Sequence, residues 1–525
     1  MYVERRSRLI AKLFVTGAQF PPARDIERLS KYYRGRKIFD GKQAEVLERA
    51  TEILKDTPHA PQLSKLYIAV NLMDVLLTKP ADLMFGEPPS YESGKPDASI
   101  EQQRLTSIVE ENDLNVLGHE IVTGAGVRGD AFIKTYYAPR QDLSEVPDGI
   151  EIKVKPEPII EAVDPSNVFP ELSKGSRKRF KAINIAWVEW VTETNGLIES
   201  IVEGSKMTQT PYLNVERHVP GAIIYERFRL HPKSVDTRYD APIQTFTIGD
   251  TVSTGREKDV VATGLSHMAI YHIPYKSTDT DWQGSSGIEK IESVLAAIND
   301  RLVQIDYILW KHSDPTAYGP DLGEPDVRFS GRYIPVAETE VTPGYMTWDS
   351  QLDGAFKELD VLLGIVFQTS ETPQWLFGTT LAEDKGGTGT SHTDGSAIKS
   401  RFMPILSKVK RIRAHVDRAF RDALYSSQIL ENFANDGVEG FESYTPAYPT
   451  IRWKDGIPRD EKEIAETMSL RTGGKPTIDV RSAIKYMDEV DDEKADEIIA
   501  RIEEDEEAAN GTVDSSIFND EGGEE

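Results

Sequence analysis

The chain has 525 residues, of which 39% are hydrophobic and 28% charged, enough to build two or more packed units. It contains no cysteine, which excludes disulfides, thiolate metal sites and cysteine nucleophiles and suits a cytoplasmic compartment. No stretch approaches the ~20 apolar residues of a membrane helix, and residues 1–14 resemble an amphipathic helix more than a signal peptide. We therefore expect a protein without a membrane partner.

The net charge of −26 is concentrated at one end of the chain. Between Asp488 and Glu525 there are 17 acidic residues against Lys494 and Arg501, which leaves only −11 for residues 1–487. Such a run is typical of a solvated helix followed by a disordered tail, here predicted at residues 509–525. Acidity alone identifies no partner.

The first ~115 residues are predicted to be mostly helical. An apolar-rich helix spans Ser64–Phe85 and ends before Pro88, and shorter helices follow at Ala98–Val109 and Val116–Val127. The period then changes to two, which indicates strands. The strand candidates are Ile150–Val154, Phe132–Tyr137, Ile183–Val191, Ile223–Leu230 and Thr245–Ile248. Antiparallel sheets packed on helices give an α+β fold class.

Two heptad series follow. The first begins after a predicted capping box at Ser286 and Glu289, repeats at alternating three- and four-residue spacing, and stops at Asp314-Pro315. Its apolar positions are Ile288, Ile291, Leu295, Ile298, Leu302, Ile305 and Leu309. The second occupies Leu352, Ala355, Leu359, Leu362 and Val366. They predict an antiparallel helix pair, which is either an ordinary intramolecular pair or one repeated around a ring.

A small insert separates the two heptad series. Within it, Val327–Pro335 and Tyr345–Trp348 are predicted to form a short hairpin. The insert is rich in proline and glycine, as expected for a mini-domain at the tip of the helix pair.

A loop rich in Gly, Thr and Ser spans Thr379–Gly395. Clustered backbone amides can cradle a phosphate, but the Gly-Lys-Ser/Thr of a Walker loop after a buried strand is missing. The two interpretations are a flexible loop with a positional role and a site for a phosphorylated substrate. The second would make the protein an enzyme.

A basic helix is predicted from Ser396 to about Tyr425. In its first 26 residues, eight lysines and arginines stand against Asp417 alone. Lys408, Arg411 and Arg418 share one face with His415, which could meet phosphates or another negative partner. The alternative is a solvated face paired with acidic neighbours.

Catalytic and metal-binding patterns are not found. The nine histidines show no paired-ligand spacing, and no nucleophile elbow is present. We therefore expect no enzymatic activity and no cofactor. Towards the C-terminus, Thr450–Trp453 predicts a strand, and Arg459–Glu507 predicts two or three helices broken at Gly473-Gly474.

Several short motifs, in this order, resemble those of siphophage portal proteins, the head-to-tail connectors of tailed bacteriophages. They are Asn71-Leu72-Met73-Asp74, Ala81 to Pro89 with Phe85-Gly86-Glu87-Pro88, His272-Ile273-Pro274-Tyr275, Gly284 to Glu289 with the following helix and Asn299, Thr372-Pro373, Gly395 to Phe402, and Trp453 with Pro458. Each motif is short, so the weight lies in their order, which covers nearly the whole chain.

The resemblance implies a ring of about twelve subunits around a central channel. Residues 1–283 and 372–458 would form an α/β wing. Residues 284–313 and 350–371 would be an antiparallel two-helix stem, with residues 314–349 as a small clip. Residues 459–508 would be a helical crown.

The resemblance also implies partners and sites. The ring would sit at the capsid vertex of the virion, after assembly in the host cytoplasm with major capsid and scaffold proteins. It would carry double-stranded DNA and dock the terminase large subunit and the head–tail adaptor. The channel-facing residues would be Lys385, Gly386, Gly387, Thr388, Gly389, His392, Lys399 and Arg401, and the clip contacts would be Arg328, Arg332, Tyr333, Tyr345 and Trp348. A different phage ring or scaffold protein is the structural alternative.

Overall fold

The helices and sheets are those of an α+β protein. In the computed structural model the described residues are 12–47, 70–141, 154–194, 207–239, 241–312, 316–320, 333–336, 342, 344–346, 352–377, 395–454, 456, 461–488, 490 and 492–511.

Ten α-helices lie in this part of the chain. They are α1 (Ile26–Phe39), α2 (Leu72–Phe85), α3 (Ile100–Glu111), α4 (Leu114–Arg128), α5 (Glu292–His312), α6 (Leu352–Thr369), α7 (Gly395–Ala434), α8 (Glu461–Thr472), α9 (Val480–Asp488) and α10 (Asp492–Gly511). Local sequence sets several of their ends. Ser99 caps α3 by accepting a hydrogen bond from the Gln102 amide, and Gly129 ends α4 with a φ of +93°.

Fifteen strands form four sheets among the described residues. The strands are β1 (Gln19–Phe20), β2 (Ser90–Glu92), β3 (Asp130–Ala138), β4 (Glu157–Val163), β5 (Val168–Leu172), β6 (Phe180–Thr194), β7 (Met207–Val219), β8 (Ala222–Asp236), β9 (Ile243–Val252), β10 (Val260–Ala262), β11 (Ile270–Pro274), β12 (Thr316–Pro320), β13 (Tyr333–Val336), β14 (Gly344–Met346) and β15 (Thr450–Arg452). The largest sheet is antiparallel, in the order β1-β9-β8-β7-β6-β5 with β10 beside β8. The order β11-β3-β4 makes a second antiparallel sheet, and β15 pairs with β2.

The main hydrophobic core joins the helices to the three-stranded sheet. It contains Leu76, Leu77 and Phe85 of α2, the inner face of α4, and Val409, Ile412, Val416 and Phe420 of α7. The first heptad residues of α5 and Val366 of α6 belong to the same cluster. The helix pair is therefore rooted in the core and is not a separate unit.

The buried carboxylate of Asp130 holds the segment that leads from the body into α5. Asp130 accepts hydrogen bonds from the Tyr32 hydroxyl at 2.5 Å and from the Gly284 amide at 2.8 Å, and its other contact is His272 Nε2 at 2.6 Å. Gly129 and Gly284 cross so closely that a Cβ on either would meet the other's carbonyl oxygen. The crossing sets the direction of the helix that begins beyond it.

The predicted heptad helices are present with shorter bounds. α5 begins at Glu292, later than the predicted residue 284. The backbone amides of Ser285 and Gly287 donate to Lys276 O and Gly126 O of the body, both at 2.9 Å, and a turn at Ile288–Ile291 leads into the helix. Of the predicted capping box, Ser286 Oγ accepts from the Glu289 amide, while the Glu289 carboxylate accepts from Ser285 Oγ. α5 and α6 pack on each other, with an ion pair between Arg301 and Glu358 at 2.5 Å.

The predicted hairpin in the insert is wrong. β13 and β14 do not pair with each other, because β12 lies between them, parallel to β13 and antiparallel to β14. The strand β12 was missed because its Gly319 and Pro320 give a weak strand signal.

Other predicted elements agree with the structure within a few residues. The helices at Ala98–Val109 and Val116–Val127 match α3 and α4, and Thr450–Trp453 matches β15. The basic helix extends further than predicted, to Ala434, and α10 continues to Gly511, three residues past the expected end of order. Ile150 and residues 48–69 lie outside the described residues.

Within the described residues, no helix has both the length and the hydropathy needed to cross a membrane.

The contact between α2 and α4 yields a test of the packing. A Cβ on Gly118 would overlap the ring of Phe85, whereas a Cβ on Gly124, one and a half turns later in α4, would meet only the tip of Arg128 at 3.8 Å. We expect Gly118→Ala to destabilise the protein by about 1–3 kcal/mol through overpacking. Gly124→Ala should be neutral or stabilising by up to about 1 kcal/mol. Thermal denaturation of the two variants measures this, and equal midpoints would contradict the helix packing described.

Candidate functional site

The heptad pair carries apolar side chains that nothing in the described chain covers. On α6, Val361 is 62% exposed, and Phe356 and Ile365 are exposed as well. At 100° per residue, Phe356 lies on one flank of the heptad seam and Val361 and Ile365 lie on the other. The helix therefore has an apolar seam against α5 and an exposed apolar side chain on each flank.

Small residues accompany this exposed surface. Gly354 lies on the same flank as Val361 and Ile365, and a Cβ built on it meets nothing within 4 Å. Gly354 is in the first turn of α6, where it leaves the backbone of this flank open.

A cavity of about 390 Å³ lies where the helix pair meets the body. Four segments enclose it: the end of β11 at Tyr275–Ser277, the turn before α5, the end of α6 and the middle of α7. Its lining includes four cationic side chains, Lys276, Lys290, Lys408 and Arg411, and Glu371 is the only carboxylate among the lining residues. In a chain of net charge −26 this is a local reversal of sign.

Two of the cations face each other. Lys276 and Lys290 lie within hydrogen-bonding distance, and the adjacent Lys290 ammonium lowers the pKa of Lys276. Among the described residues, no ion pair joins either lysine to a carboxylate. Their mutual repulsion is compensated only by the more distant Glu371.

Lys408 is buried beneath them. Its Nζ donates to the backbone oxygen of Ser370 at 3.0 Å and lies 5.9 Å from the ring centroid of Tyr275. Burial lowers its pKa to about 8, with Glu371 opposing and Arg411 adding to the shift. The ammonium is therefore held in the interior at a cost in stability.

Glu371 joins α6 to α7 across the cavity rim. It follows α6 in a left-handed conformation with φ of +56°, which is uncommon for a residue with a side chain. Its carboxylate pairs with Arg411 at 2.5 Å. Because that carboxylate is already engaged, the charges of Lys276, Lys290 and Lys408 remain largely uncompensated.

The predicted site residues fall into three groups, which differ in how much of each residue the structure describes. Lys385, Gly386, Gly387, Thr388, Gly389, His392, Arg328, Arg332 and Trp348 lie outside the described residues. Lys399 is within α7, and Tyr333 and Tyr345 are within β13 and β14, where only the backbone is described. Arg401 is exposed on the first turns of α7.

The predicted charged face of α7 needs a correction. Lys408 is not on the surface with Arg418, because it points into the cavity and is buried, while Arg418 is exposed and Arg411 pairs with Glu371. Further along, Arg413 and Arg421 donate to the backbone oxygens of Lys454 and Pro449. Part of the basic stretch therefore anchors the helix near β15.

Sequence reasoning missed Lys276, Lys290 and Tyr275. The two lysines are far apart in sequence from α7, so no local spacing pattern connects them. The only sequence signal is that both flank the motif at Gly284–Glu289. Among the described residues, no cluster of three or more His, Asp or Glu side chains could hold a metal ion.

Paired heptad helices that rise from an α+β body with apolar flanks uncovered are typical of a subunit in a larger assembly. Residues 22–187 match the family described as phage portal protein, SPP1 Gp6-like, which confirms the resemblance to siphophage portal proteins and supports a phage portal role. No curated protein matches the chain. The matched residues run from just before α1 into β6, so the heptad helices and the cavity lie beyond them.

The buried ammonium makes a prediction about stability. The fall in the pKa of Lys408 from 10.5 to about 8 sets an upper limit of about 3 kcal/mol on its cost at pH 7. We expect Lys408→Met to raise the melting temperature at pH 7. The gain should shrink between pH 8 and 10.5, because there the folded lysine is already neutral while the unfolded one is still charged.

Thermal melts in chloride buffers at pH 7 and pH 10 measure this difference. Lys410→Met, at an exposed neighbouring position of α7, is the matched control and should change little at either pH. A gain for Lys408→Met that is independent of pH would show that the ammonium carries no such cost.

Proposed function

We propose that this protein is the portal subunit whose ring forms the capsid vertex and conducts double-stranded DNA. The same ring would dock the terminase large subunit and the head–tail adaptor. The observation that carries the ring is the pair of uncovered apolar flanks on α6, on either side of its seam with α5. The family match supports the phage context.

A closed ring explains why both flanks are apolar. In cyclic symmetry each subunit uses two different surfaces, one for each neighbour, so a helix in the wall of a channel has contacts on both sides. A dimer would cover one surface and leave the other exposed. About twelve copies, as in the assembled rings of the family that the chain resembles, would cover both flanks of every α6.

The proposal assigns a role to each part of the chain. The body formed by residues 1–283 and 372–458 is the wing, and α5 with α6 is the stem. The small sheet of β12, β13 and β14 is the clip, which contacts terminase and adaptor. The helices α8, α9 and α10 form the crown, where the negative charge of α10 repels packaged DNA.

Passage of DNA favours few phosphate contacts. Each neutralised phosphate adds affinity that opposes sliding, so a conduit is best built from an acidic protein with few basic positions facing the channel. We place those positions in the loop 379–395, at Lys385, and at the start of α7, at Lys399 and Arg401. The exposed Arg418 is a further contact, while Arg411 belongs to the cavity rim.

The apolar flank predicts the effect of a charge on assembly. We expect Val361→Asp and Ile365→Asp to abolish rings of the purified full-length protein, because each would bury a carboxylate between neighbouring helices. Val260→Asp, an equally exposed valine on β10, is the matched control and should leave rings intact. Electron microscopy and mass photometry measure the particle size. Rings unaffected by both substitutions on α6 would exclude this flank from the interface.

The channel positions predict the effect of charge reversal on DNA. We expect Lys385→Glu with Arg401→Glu to assemble rings normally and to lower DNA retention in filled heads, since like charges repel the backbone. Lys233→Glu, exposed on β8, is the control. DNA content per head, measured by nuclease protection, separates the outcomes. Unchanged packaging and retention would mean that these side chains do not contact DNA.

A further inference from the structure

The cavity at the base of the helix pair has the features of a ligand site independently of any ring. Its volume of about 390 Å³ is within the range of small-molecule pockets, roughly 300–1,000 Å³. The residues of one chain suffice to line it. Phosphate binding can therefore be measured separately from ring assembly, and failure of one does not imply failure of the other.

Charge defines the class of ligand. Glu371 balances Arg411, which leaves the ammonium groups of Lys276, Lys290 and Lys408 around the same space. Like charges at such close range are unfavourable unless an anion lies between them. A group with two negative charges compensates this set better than a single carboxylate does.

Two buried donors in the lining have unused hydrogen-bonding capacity. Among the described residues, Lys408 makes one hydrogen bond, to Ser370 O, although an ammonium has three N–H donors. The hydroxyl of Tyr275 is buried and has no partner there. A buried polar group without a partner is costly and requires an explanation, and a bound acceptor supplies one.

The remaining polar lining is mixed. Ser277 adds a hydroxyl, Ser285 already donates its hydroxyl to Glu289, and His415 and Glu371 also line the cavity. Lysine, arginine and hydroxyl donors around one space are typical of sites for phosphate-type oxyanions. The apolar part of the lining, which includes Ile291, Ile412, Ala414 and the Tyr275 ring, forms the walls around these charged groups.

We propose that this cavity is a binding site for a phosphate-type oxyanion, held by Lys276, Lys290, Lys408 and Arg411. The anion neutralises the lysines and ties the start of α5, the end of α6 and the middle of α7 to one ligand. Inorganic phosphate and a phosphodiester of DNA both present phosphate oxygens to such donors, although the diester carries only one negative charge. The test distinguishes the two sources.

The experiment uses full-length protein in chloride buffer at constant ionic strength, titrated with inorganic phosphate. Thermal melts and isothermal calorimetry are the readouts. We expect a dose-dependent rise in melting temperature for the unaltered protein. Lys290→Gln and Lys408→Met should each weaken phosphate binding about tenfold or more, as for loss of a charge-assisted hydrogen bond.

Lys410→Gln is the matched control, since this exposed lysine precedes Arg411 on α7 but does not line the cavity. Lys290 is itself exposed, so its glutamine variant is expected to fold, and its melting temperature without phosphate checks that. The proposal is overturned if both cavity variants bind phosphate as tightly as the unaltered protein. An identical rise with added chloride in place of phosphate would overturn it too.

A duplex oligonucleotide at equal phosphate concentration identifies the source. Displacement of inorganic phosphate by the duplex, with the same loss in Lys290→Gln, would assign the site to the DNA backbone. Phosphate binding that the duplex does not disturb would assign it to a free anion. Either result retains the oxyanion site.

Discussion

The buried carboxylate of Asp130 is the constraint that determines the arrangement of the helix pair. It lies directly after the left-handed Gly129 that ends α4, and it binds the Gly284 amide just before the chain turns into α5. Removing one partner of such a network leaves a buried charge unsatisfied, which costs several kcal/mol. The chain therefore leaves the body for α5 at a fixed crossing, where two glycines allow the backbones to touch.

Positive and negative charges are distributed unevenly over the molecule. The excess of negative charge lies towards the C-terminus, whereas the cations of the cavity gather around the base of α5, α6 and α7. Burial of Lys408 lowers stability, and Glu371 occupies a backbone conformation that glycine would adopt more readily. A folded chain retains destabilising features of this kind where function requires them. The burial of Lys408 and the conformation of Glu371 therefore indicate a functional role for the base of the helix pair.

The sequence was informative where the pattern was periodic and local. The heptad spacing predicts α5 and α6, and the local helical pattern predicts α3 and α4, because those signals act within a few residues. Prediction from the sequence failed where contacts between residues far apart in the chain determine the structure. The segment before α5 is bonded to Gly126 and Lys276, and β12 separates two strands expected to pair. The burial of Lys408 depends on Tyr275 and Ser370, and no spacing within α7 predicts either contact.

Two features of the helix pair lie on α6, namely its exposed apolar flanks and its end at the cavity. Its flanks carry the uncovered Phe356, Val361 and Ile365, and its last turn leads into Ser370 and Glu371 at the cavity. An α-helix is stiff over this length, so a neighbour that displaces its flank also displaces its end. The Ser370 oxygen bound to Lys408 and the carboxylate bound to Arg411 would then move together. Lateral contacts between subunits and the state of the cationic cavity are therefore mechanically linked through one helix.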